Sequence, residues 1–451
     1  MVKDIDLQKN KQKTAASYSF EEASAANNKM LSIHRWTNWI AGFSGDFAQS
    51  AIKQYLPSPK KGSLILDPFA GVGTTLIEAN RKGIDCVGFE INPFAALVTQ
   101  VKLQAMEVDV TKLRIAIDRY RKHMLALELN ECTLQPLPNS VAPPGFHSRI
   151  PFFSKTIETK VLYTLDYIQE LPPSLRDIFR VALGSVLVGF SNYTYEPSLG
   201  SRPGAGKSLI SSAPVGEIIS KKLGNMIEDI EFLQREMIGR TRQPSGRIYR
   251  SSYFDSHQYI EPGSIDLVVT SPPYMNNYHY VRNTRPQLYW AALANSSSDL
   301  KILEEANFGK YWQTVRGRKN IPLDFDLSEL EQQIAEIRQK NYDRGTYGGG
   351  GWANYVSVYM NDLYRFIGLL SNQLRPKIGV AVIVLGNSLI QGIHVPVEKY
   401  TIQIAKIHGI NAQAPSILRS RVGSSIVNTG TRLSGDKKYT LYDFAIVLRR
   451  E

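Results

Sequence analysis

The sequence has little cysteine, few histidines and no long hydrophobic run. Its two cysteines, Cys86 and Cys132, are too few for a disulfide framework or a cysteine-rich zinc site. The 7 histidines are scattered without the spacing of a metal site, so no metal is predicted. The N-terminus lacks an apolar signal core, and no run of about 18 apolar residues occurs. We therefore expect a cytoplasmic protein without a membrane segment.

The composition indicates a polyanionic partner. Lysine and arginine total 53 residues against 41 acidic ones, which gives a net charge of +12 and a pI of about 9.4. Neutralisation of phosphates by basic side chains drives non-specific binding to nucleic acid. The chain has 451 residues and a hydrophobic fraction of 43%. This length fits two domains, or one large domain that carries insertions.

One segment carries the chemistry. The stretch Val268-Val269-Thr270, read as the end of a buried strand, leads directly into Ser271-Pro272-Pro273-Tyr274. Two prolines hold the turn rigid and leave carbonyl oxygens without competing N–H groups. A hydroxyl and a carbonyl can accept hydrogen bonds from a flat group that carries an NH2, while a tyrosine ring stacks on its plane. An ordinary loop could have the same four residues, so the segment needs support from elsewhere.

A second segment supplies that support. The apolar stretch 63–66 ends at Asp67 and is followed by a glycine-rich turn with Gly71 and Gly73. Glycines allow the backbone to approach a ligand closely. A second strand ends at Glu90, about twenty residues further on, where an acidic residue typically binds ribose hydroxyls. Alone, this pattern would indicate only a generic nucleotide-binding domain.

Together the two segments resemble known enzymes. The stretch 67–75 is similar to the S-adenosylmethionine motif of DNA amino-methyltransferases, and 270–274 is similar to their catalytic motif. A serine at the first catalytic position resembles the N4-cytosine branch, since the N6-adenine branch more often has Asp or Asn there. The resemblance covers residues 34–100 and 250–290, and more loosely 355–450. Because neither cysteine follows a proline, the chain does not resemble the C5-cytosine methylases, which need a cysteine nucleophile.

The resemblance implies a fold, a cofactor and a set of site residues. The expected fold is an α/β, Rossmann-like class I methyltransferase sheet, mostly parallel, with an antiparallel C-terminal hairpin and a largely helical insertion. The cofactor is S-adenosylmethionine, the substrate is double-stranded DNA, and a cognate restriction endonuclease is a possible partner. The expected catalytic residues are Ser271, Pro272, Pro273 and Tyr274. The expected cofactor-binding residues are Phe43, Ser44, Asp67, Pro68, Phe69, Gly71, Gly73, Thr74, Thr75, Glu90, Asn92 and, near the adenine, Asp255.

The expected mechanism follows from those residues. Acceptors at Ser271 and at the Pro272 carbonyl hold the target amine so that its lone pair points at the methyl group, and catalysis is mainly positioning. Because the amine is inaccessible inside a duplex, the base must flip out and stack on Tyr274.

Hydrophobic periodicity suggests six segments. Residues 1–30 are expected to be a flexible N-terminus, 31–108 the cofactor part of the core, 109–247 a helical insertion for target recognition, 248–294 the catalytic part, 295–351 a loop insertion that contacts DNA, and 352–451 the C-terminal half of the sheet. The insertion should contain helices at 111–129, 155–170, 174–189 and 215–239. The four glycines 348–351 read as a flexible hinge, followed by a helix at 355–374 and a buried strand at 378–385.

The expected DNA contacts are basic or aromatic. They are Tyr280, Arg282, Arg202, Lys207, Arg316, Arg318 and Lys319. The segment 202–208 also resembles a phosphate-binding loop, but Ser201 stands where that motif requires glycine, and a polar loop rather than a strand is expected before it. Two other functions stay open: an adenine or RNA amino-methyltransferase, and a non-catalytic nucleic-acid-binding protein that keeps the cofactor fold.

Overall fold

The computed structural model describes residues 25–39, 42–129, 137–195, 198–240, 242–276, 278–422 and 440–451. Most of the predicted flexible N-terminus, residues 1–24, lies outside this range, and so does Cys132. The end of that segment is ordered, because Ala25–Lys29 forms a short 3-10 helix. Its Asn28 donates to the carbonyl oxygen of Phe43 at 3.0 Å and accepts from the Gly45 N–H at 2.9 Å.

The described residues form thirteen α-helices and twelve β-strands. The helices are α1 Gly45–Tyr55, α2 Thr74–Arg81, α3 Pro93–Leu103, α4 Val110–Leu129, α5 Lys155–Glu170, α6 Pro173–Val186, α7 Val215–Glu236, α8 Tyr280–Trp290, α9 Ser297–Ala306, α10 Trp312–Val315, α11 Ser328–Gln339, α12 Gly349–Gln373 and α13 Val397–Ile407. The strands are β1 Leu64–Asp67, β2 Asp85–Phe89, β3 Tyr193–Tyr195, β4 Leu199–Ser201, β5 Gly246–Tyr249, β6 Leu267–Thr270, β7 Val380–Gly386, β8 Ser388–Ile390, β9 Ile393–Val395, β10 Ile410–Ala412, β11 Ser416–Val422 and β12 Thr440–Arg450.

A single large sheet organises the core. Its strand order is β10-β12-β7-β6-β1-β2-β5, and β11 also pairs with β12. The pairs from β5 to β7 are parallel, whereas β12 is antiparallel to β7, β10 and β11. This arrangement confirms the Rossmann-like methyltransferase fold and its antiparallel C-terminal strand.

The sheet topology fixes where a ligand can bind. The chain runs from β1 to β2 on one side and later returns to β6 on the other. In such sheets the ligand crevice lies at the carboxyl ends of the strands, where the strand order reverses. The turns after β1 and β6 are therefore neighbours at this edge. The central strands β6 and β7 are buried along their full lengths.

The predicted helical insertion is present. Helices α4, α5, α6 and α7 lie within two or three residues of the predicted bounds. They share one hydrophobic core with α3 and α8. The contact is close, because a side chain at Gly184 would overlap the ring of Phe94. The prediction of a polar loop before Arg202 is wrong in part, since β3 and β4 form a two-stranded hairpin there. Three residues per strand are too short for the hydrophobic pattern to reveal.

The second insertion is helical rather than a loop, and its glycines are not a hinge. Helices α9, α10 and α11 precede α12, whose first turn is Gly349-Gly350-Gly351. A Cβ at Gly349 would overlap the carbonyl oxygen of Ile337, and one at Gly351 would overlap that of Thr346. The glycines are therefore needed for close packing. Composition alone does not distinguish a packed glycine run from a flexible one.

This packing can be tested by adding one methyl group. We expect Gly349→Ala to lower the free energy of unfolding by about 1–3 kcal/mol, since the new methyl group meets rigid backbone. Gly350→Ala is the matched control, because a Cβ there has no heavy atom within 4 Å. Alanine at that position should be neutral or stabilising by up to about 1 kcal/mol. Chemical denaturation of both variants measures the difference, and equal stabilities would contradict the packed arrangement.

The described residues contain neither a candidate membrane-spanning helix nor a candidate metal-binding cluster. No described helix is both long enough and apolar enough to cross a membrane. Within the same part of the chain, no group of three or more His, Cys, Asp or Glu side chains is placed to hold a metal ion.

Candidate active site

The glycine-rich turn is held by buried hydrogen bonds at the end of β1. Asp67 is 1% exposed. Its Oδ1 accepts from the Phe69 N–H at 3.1 Å and from the Thr270 hydroxyl at 2.6 Å. Burial raises the pKa of the Asp67 carboxyl to about 6, and the hydrogen bonds from Thr270 and Phe69 oppose that rise. Asp67 therefore ties the turn after β1 to the end of β6, immediately before Ser271.

The turn depends on glycine in two places. Gly71 and Gly73 have φ angles of 52° and 85°, a region that residues with a Cβ rarely adopt. A Cβ at Gly73 would lie 2.8 Å from the Thr99 methyl group. The hydroxyl of Thr99 donates to the Gly71 carbonyl at 2.9 Å. Helix α3 thus supports the turn from beneath.

Glu90 lies directly across from this turn. Its Oε2 accepts from the Gly71 N–H at 2.9 Å, and its Oε1 accepts from the Asn92 N–H at 2.6 Å. Burial raises the pKa of Glu90 to about 7, although these two backbone hydrogen bonds lower it. Each carboxylate oxygen can accept a further hydrogen bond. The residue is therefore a buried acceptor pair at the edge of a cavity.

Two cavities meet at the glycine-rich turn. The first, the Glu90 cavity, is lined by apolar and aromatic walls that include Phe69, Phe89, Tyr253 and Phe308. The second, the Lys222 cavity, is more polar and is lined by Phe43, Asp67, Thr74 and Lys222. Both also include Trp39, Phe69, Gly71 and Ser271. A ligand with a flat apolar end, a diol and a charged end fits this pair, and S-adenosylmethionine has all three.

The Ser-Pro-Pro-Tyr turn lies on the walls of these cavities. Ser271 lines both cavities, and Pro273 lines the Glu90 cavity. Among the described residues, the Ser271 hydroxyl has no hydrogen-bond partner. The Pro273 carbonyl accepts from the Tyr359 hydroxyl at 3.1 Å, and the following Met275 carbonyl accepts from Ser388 at 2.5 Å. The turn is thus braced from behind by α12 and β8.

Several other predicted cofactor residues have structural partners. Ser44 caps α1 by accepting from the Phe47 N–H at 3.1 Å. The Thr75 hydroxyl donates to the Val269 carbonyl at 2.9 Å. Asn92 caps α3 and donates to the Thr284 hydroxyl at 2.7 Å. Ser44 and Thr75 therefore position the site, whereas Asn92, Thr74, Phe43, Pro68 and Phe69 line its cavities.

Asp255, predicted to lie near the adenine, does not line the Glu90 cavity. The wall of the Glu90 cavity comes from Ser251, Ser252, Tyr253 and Phe254. Asp255 is the next residue, lies in a 3-10 helix, and has an exposed side chain. The sequence pattern located this wall correctly, but β5 ends at Tyr249, so the turn reaches the cavity a few residues earlier than expected.

A third cavity, the Tyr195 cavity, adjoins the other two at Trp39. It is lined by Tyr193, Tyr195, Tyr278, Tyr280 and Gln287, and Arg202 also contributes. The Tyr195 hydroxyl donates to the Asn283 carbonyl at 2.8 Å, so its oxygen must accept from Gln287 Nε2 at 3.1 Å. This leaves Gln287 Oε1 buried without a partner among the described residues. The cavity therefore combines aromatic walls with a fixed acceptor.

The predicted DNA-binding residues do not form one cluster. Tyr280 lines both the Glu90 and Tyr195 cavities. Arg202 donates to the Ser208 carbonyl at 2.7 Å, and Arg316 lies 4.5 Å from the ring centre of Trp312 and 4.4 Å from that of Tyr347. Both therefore have roles inside the fold. The exposed members are Lys207, Arg282, Arg318 and Lys319.

Some site residues were not found by sequence reasoning. Trp39 lines all three cavities, although a tryptophan in an aromatic-rich segment is equally typical of a hydrophobic core. Lys222 and Tyr359 lie far from both motifs in the sequence and on ordinary amphipathic helices. Only the folded chain brings them to the site, so no local pattern could have identified them.

Comparison with known proteins agrees with this geometry. Residues 6–100 match the model of the DNA methylase family. The chain is 24% identical over 462 residues to the type II methyltransferase M.BsoBI of Geobacillus stearothermophilus, with 92% of this chain and 86% of that protein covered. It is 23% identical over 438 residues to M.AvaI of Nostoc sp., with 94% and 88% covered. It is also 35% identical over 97 residues to M.MjaII of Methanocaldococcus jannaschii, with 21% and 18% covered.

These findings identify the cofactor and the general activity. Type II methyltransferases of this family use S-adenosylmethionine. The glycine-rich turn, the acidic residue after β2 and the Ser-Pro-Pro-Tyr turn all contribute to the walls of the two adjoining cavities. The chain is similar to type II DNA methyltransferases over most of its length, and these likenesses support an S-adenosylmethionine-dependent DNA amino-methyltransferase.

Proposed function

We propose that this methyltransferase modifies the N4 amine of a cytosine flipped out of double-stranded DNA. The observation that carries the proposal is the position of Ser271, which lines both the Glu90 cavity and the Lys222 cavity. The serine at this place also resembles the N4-cytosine branch. A cognate restriction endonuclease that the modification blocks is part of the proposal.

The catalytic turn would act by holding the amine. When bound, S-adenosylmethionine supplies an activated methyl group on a sulfonium. The Ser271 hydroxyl and the Pro272 carbonyl accept the two N–H groups of the target amine, which turns the nitrogen lone pair toward the donor. Tyr359 keeps the turn rigid through its bond to the Pro273 carbonyl. The proton leaves to water after transfer, so no strong base is needed.

The Tyr195 cavity offers a route for the target base. It reaches the other two cavities at Trp39, and its tyrosines provide faces on which a base can stack. The unpaired Gln287 oxygen can accept an N–H from the base or a neighbouring nucleotide. We propose that the flipped base enters through this cavity, with the β3–β4 hairpin of the helical insertion as one wall.

Analysis of DNA from cells that express this chain tests the proposed function. Mass spectrometry of its nucleosides should show N4-methylcytosine, and methylation-sensitive sequencing should place it in one recurring sequence. If N6-methyladenine were the sole product, the proposed cytosine specificity would be wrong and the enzyme would be an adenine methyltransferase. Absence of any modified nucleoside, with the purified protein still binding DNA, would support the non-catalytic alternative.

Exposed basic residues of the second insertion are proposed to contact the DNA backbone. The side chains of Arg318 and Lys319 are exposed, and their carbonyls accept from Asn354 Nδ2 at 3.0 and 3.4 Å, which fixes the segment. We expect Lys319→Ala to weaken binding equally for all DNA sequences and to reduce the slope of log affinity against log salt by about one.

The control for this prediction is Lys61→Ala. Lys61 is equally exposed but precedes β1, at the edge of the sheet opposite the site. Its replacement should leave the salt slope unchanged. A smaller slope for the Lys61 variant than for the Lys319 variant in a filter-binding titration would contradict the proposed contact.

A further inference from the structure

Helix α7 of the helical insertion is fastened to the loop that precedes the cofactor site. Asp229 on this helix is 1% exposed. Its carboxylate accepts from the Ile33 N–H at 2.9 Å, from the Trp36 ring N–H at 3.0 Å, and from the Arg35 guanidinium at 2.8 to 3.1 Å. Such a buried carboxylate is stable only while these donors stay in place. The insertion and residues 33–36 therefore form one rigid wall.

The same helix carries a lysine into the cofactor site. Lys222 precedes Asp229 by seven residues, which is two helical turns, so both lie on one face of α7. Its Nζ donates to the Arg35 carbonyl at 2.9 Å, and its side chain lines the Lys222 cavity beside Asp67 and Gly71. An ammonium group has three donors. The described residues use one of them, so two can serve a ligand in the cavity.

The side chains that line the cavity carry more positive than negative charge. Lys29, Arg35 and Lys222 are basic, and Asp67 is the carboxylate on the same wall. The Asp229 carboxylate is already shared by Arg35, Trp36 and Ile33. Burial lowers the pKa of Lys222 to about 8, with Arg35 adding to this and Asp229 opposing it, so the ammonium is mostly charged at neutral pH. A partly desolvated cation of this kind gains most from a carboxylate.

The cavity is also large enough for an amino-acid group. Its volume is about 330 Å³. The walls on the Glu90 side are apolar and aromatic, so the flat part of the cofactor would occupy that side. The charged amino-acid end of the ligand would then lie in the Lys222 cavity.

We propose that Lys222 binds the methionine carboxylate of S-adenosylmethionine, so that the helical insertion completes the cofactor site. This rests on the assignment of the cofactor and adds to it a residue from outside the methyltransferase core. Helix α7 carries both Asp229, which fastens the insertion to residues 33–36, and Lys222. The packing of the insertion against these residues and the binding of the cofactor are therefore coupled.

Calorimetric titration with two ligands tests this inference without any need for DNA. The first ligand is S-adenosylmethionine, and the second is its decarboxylated form, which lacks only the carboxylate. The wild-type protein should bind the first more tightly. Lys222→Met keeps the apolar stem of the side chain and should weaken binding of S-adenosylmethionine by about 10- to 100-fold, while binding of the decarboxylated ligand stays unchanged. Lys222→Arg should restore part of the difference.

Lys221→Met is the matched control, because its side chain is exposed on the same helix. It should bind both ligands as the wild type does, and thermal melting should show that all variants are folded. Equal weakening of both ligands by Lys222→Met, or no weakening of either, would overturn the role of Lys222 while leaving the cofactor assignment intact. Failure of the wild type to bind S-adenosylmethionine at all would overturn both.

Discussion

Ser271→Ala is expected to reduce methyl transfer by about 100-fold while the affinity for S-adenosylmethionine changes by less than about twofold. The hydroxyl has no partner among the described residues, and Ser271 lines both the Glu90 and the Lys222 cavities. It is therefore available to the reacting amine. Loss of one preorganised polar contact to a reacting group typically costs about 10²- to 10³-fold in rate. Single-turnover methylation assays and calorimetry measure the two effects separately.

Two further variants sharpen this test. Ser264→Ala removes an exposed hydroxyl that donates to the Glu261 carbonyl, away from the site, and should have no effect on transfer. Tyr359→Phe removes the hydrogen bond to the Pro273 carbonyl and should lower the rate by a smaller factor, because the prolines still restrict the turn. If Ser271→Ala reduced cofactor affinity and methyl transfer in parallel, the turn would be a cofactor-binding element instead.

The part of the fold that could be predicted from the sequence is the part with strong local patterns. The bounds of α5 are the predicted ones, because its N-cap Ser154 and its apolar face are local signals. The motif turns after β1 and β6 were located for the same reason, since glycine and proline restrict the backbone directly.

The features that were missed depend on tertiary contacts. The glycine run 348–351 is a tightly packed helix start only because α11 and its C-terminal loop lie against it. Lys222 reaches the cofactor site only because Asp229 fastens α7 to residues 33–36. Arg316 has the composition of a DNA contact but lies between two aromatic rings. In each case the deciding neighbour is distant in sequence, so a reading of local residues could not find it.

Glu90→Ala is expected to weaken cofactor binding by about 1–3 kcal/mol, through the loss of charge-assisted hydrogen bonds to the ribose. Glu90→Ala also removes the hydrogen bonds that the carboxylate accepts from the N–H groups of Gly71 and Asn92, so the glycine-rich turn loses support as well. Glu90→Gln keeps the size of the side chain but replaces one acceptor oxygen by an NH2 donor, so it loses the charge and one of the two backbone hydrogen bonds while keeping the other. Calorimetry should therefore show weakened binding in both variants, with the larger loss in Glu90→Ala.

The wild-type affinity should also depend on pH. Ribose hydroxyls donate to the ionised carboxylate, and burial raises the pKa of Glu90 to about 7 in the free protein. Cofactor affinity should therefore rise between about pH 6 and pH 8, with release of a proton below pH 7. The stability of the free protein should change in the opposite direction. A raised folded-state pKa stabilises the fold below the ordinary value of 4.5, and this contribution is lost as the pH rises through about 7.

Comparison of variants separates Glu90 from the other buried carboxyl of the site. Burial raises the pKa of Asp67 to about 6, so it titrates in a neighbouring window. It is still present in Glu90→Gln, and any pH dependence that survives in that variant belongs to Asp67, to Lys222, whose pKa is lowered to about 8, or to the ligand. Exposed Glu261→Gln serves as the charge control and should keep the wild-type profile. Because the glutamine cannot ionise, the rise in affinity from pH 6 to pH 8 should disappear in Glu90→Gln, and an unchanged rise would remove Glu90 from the ribose site.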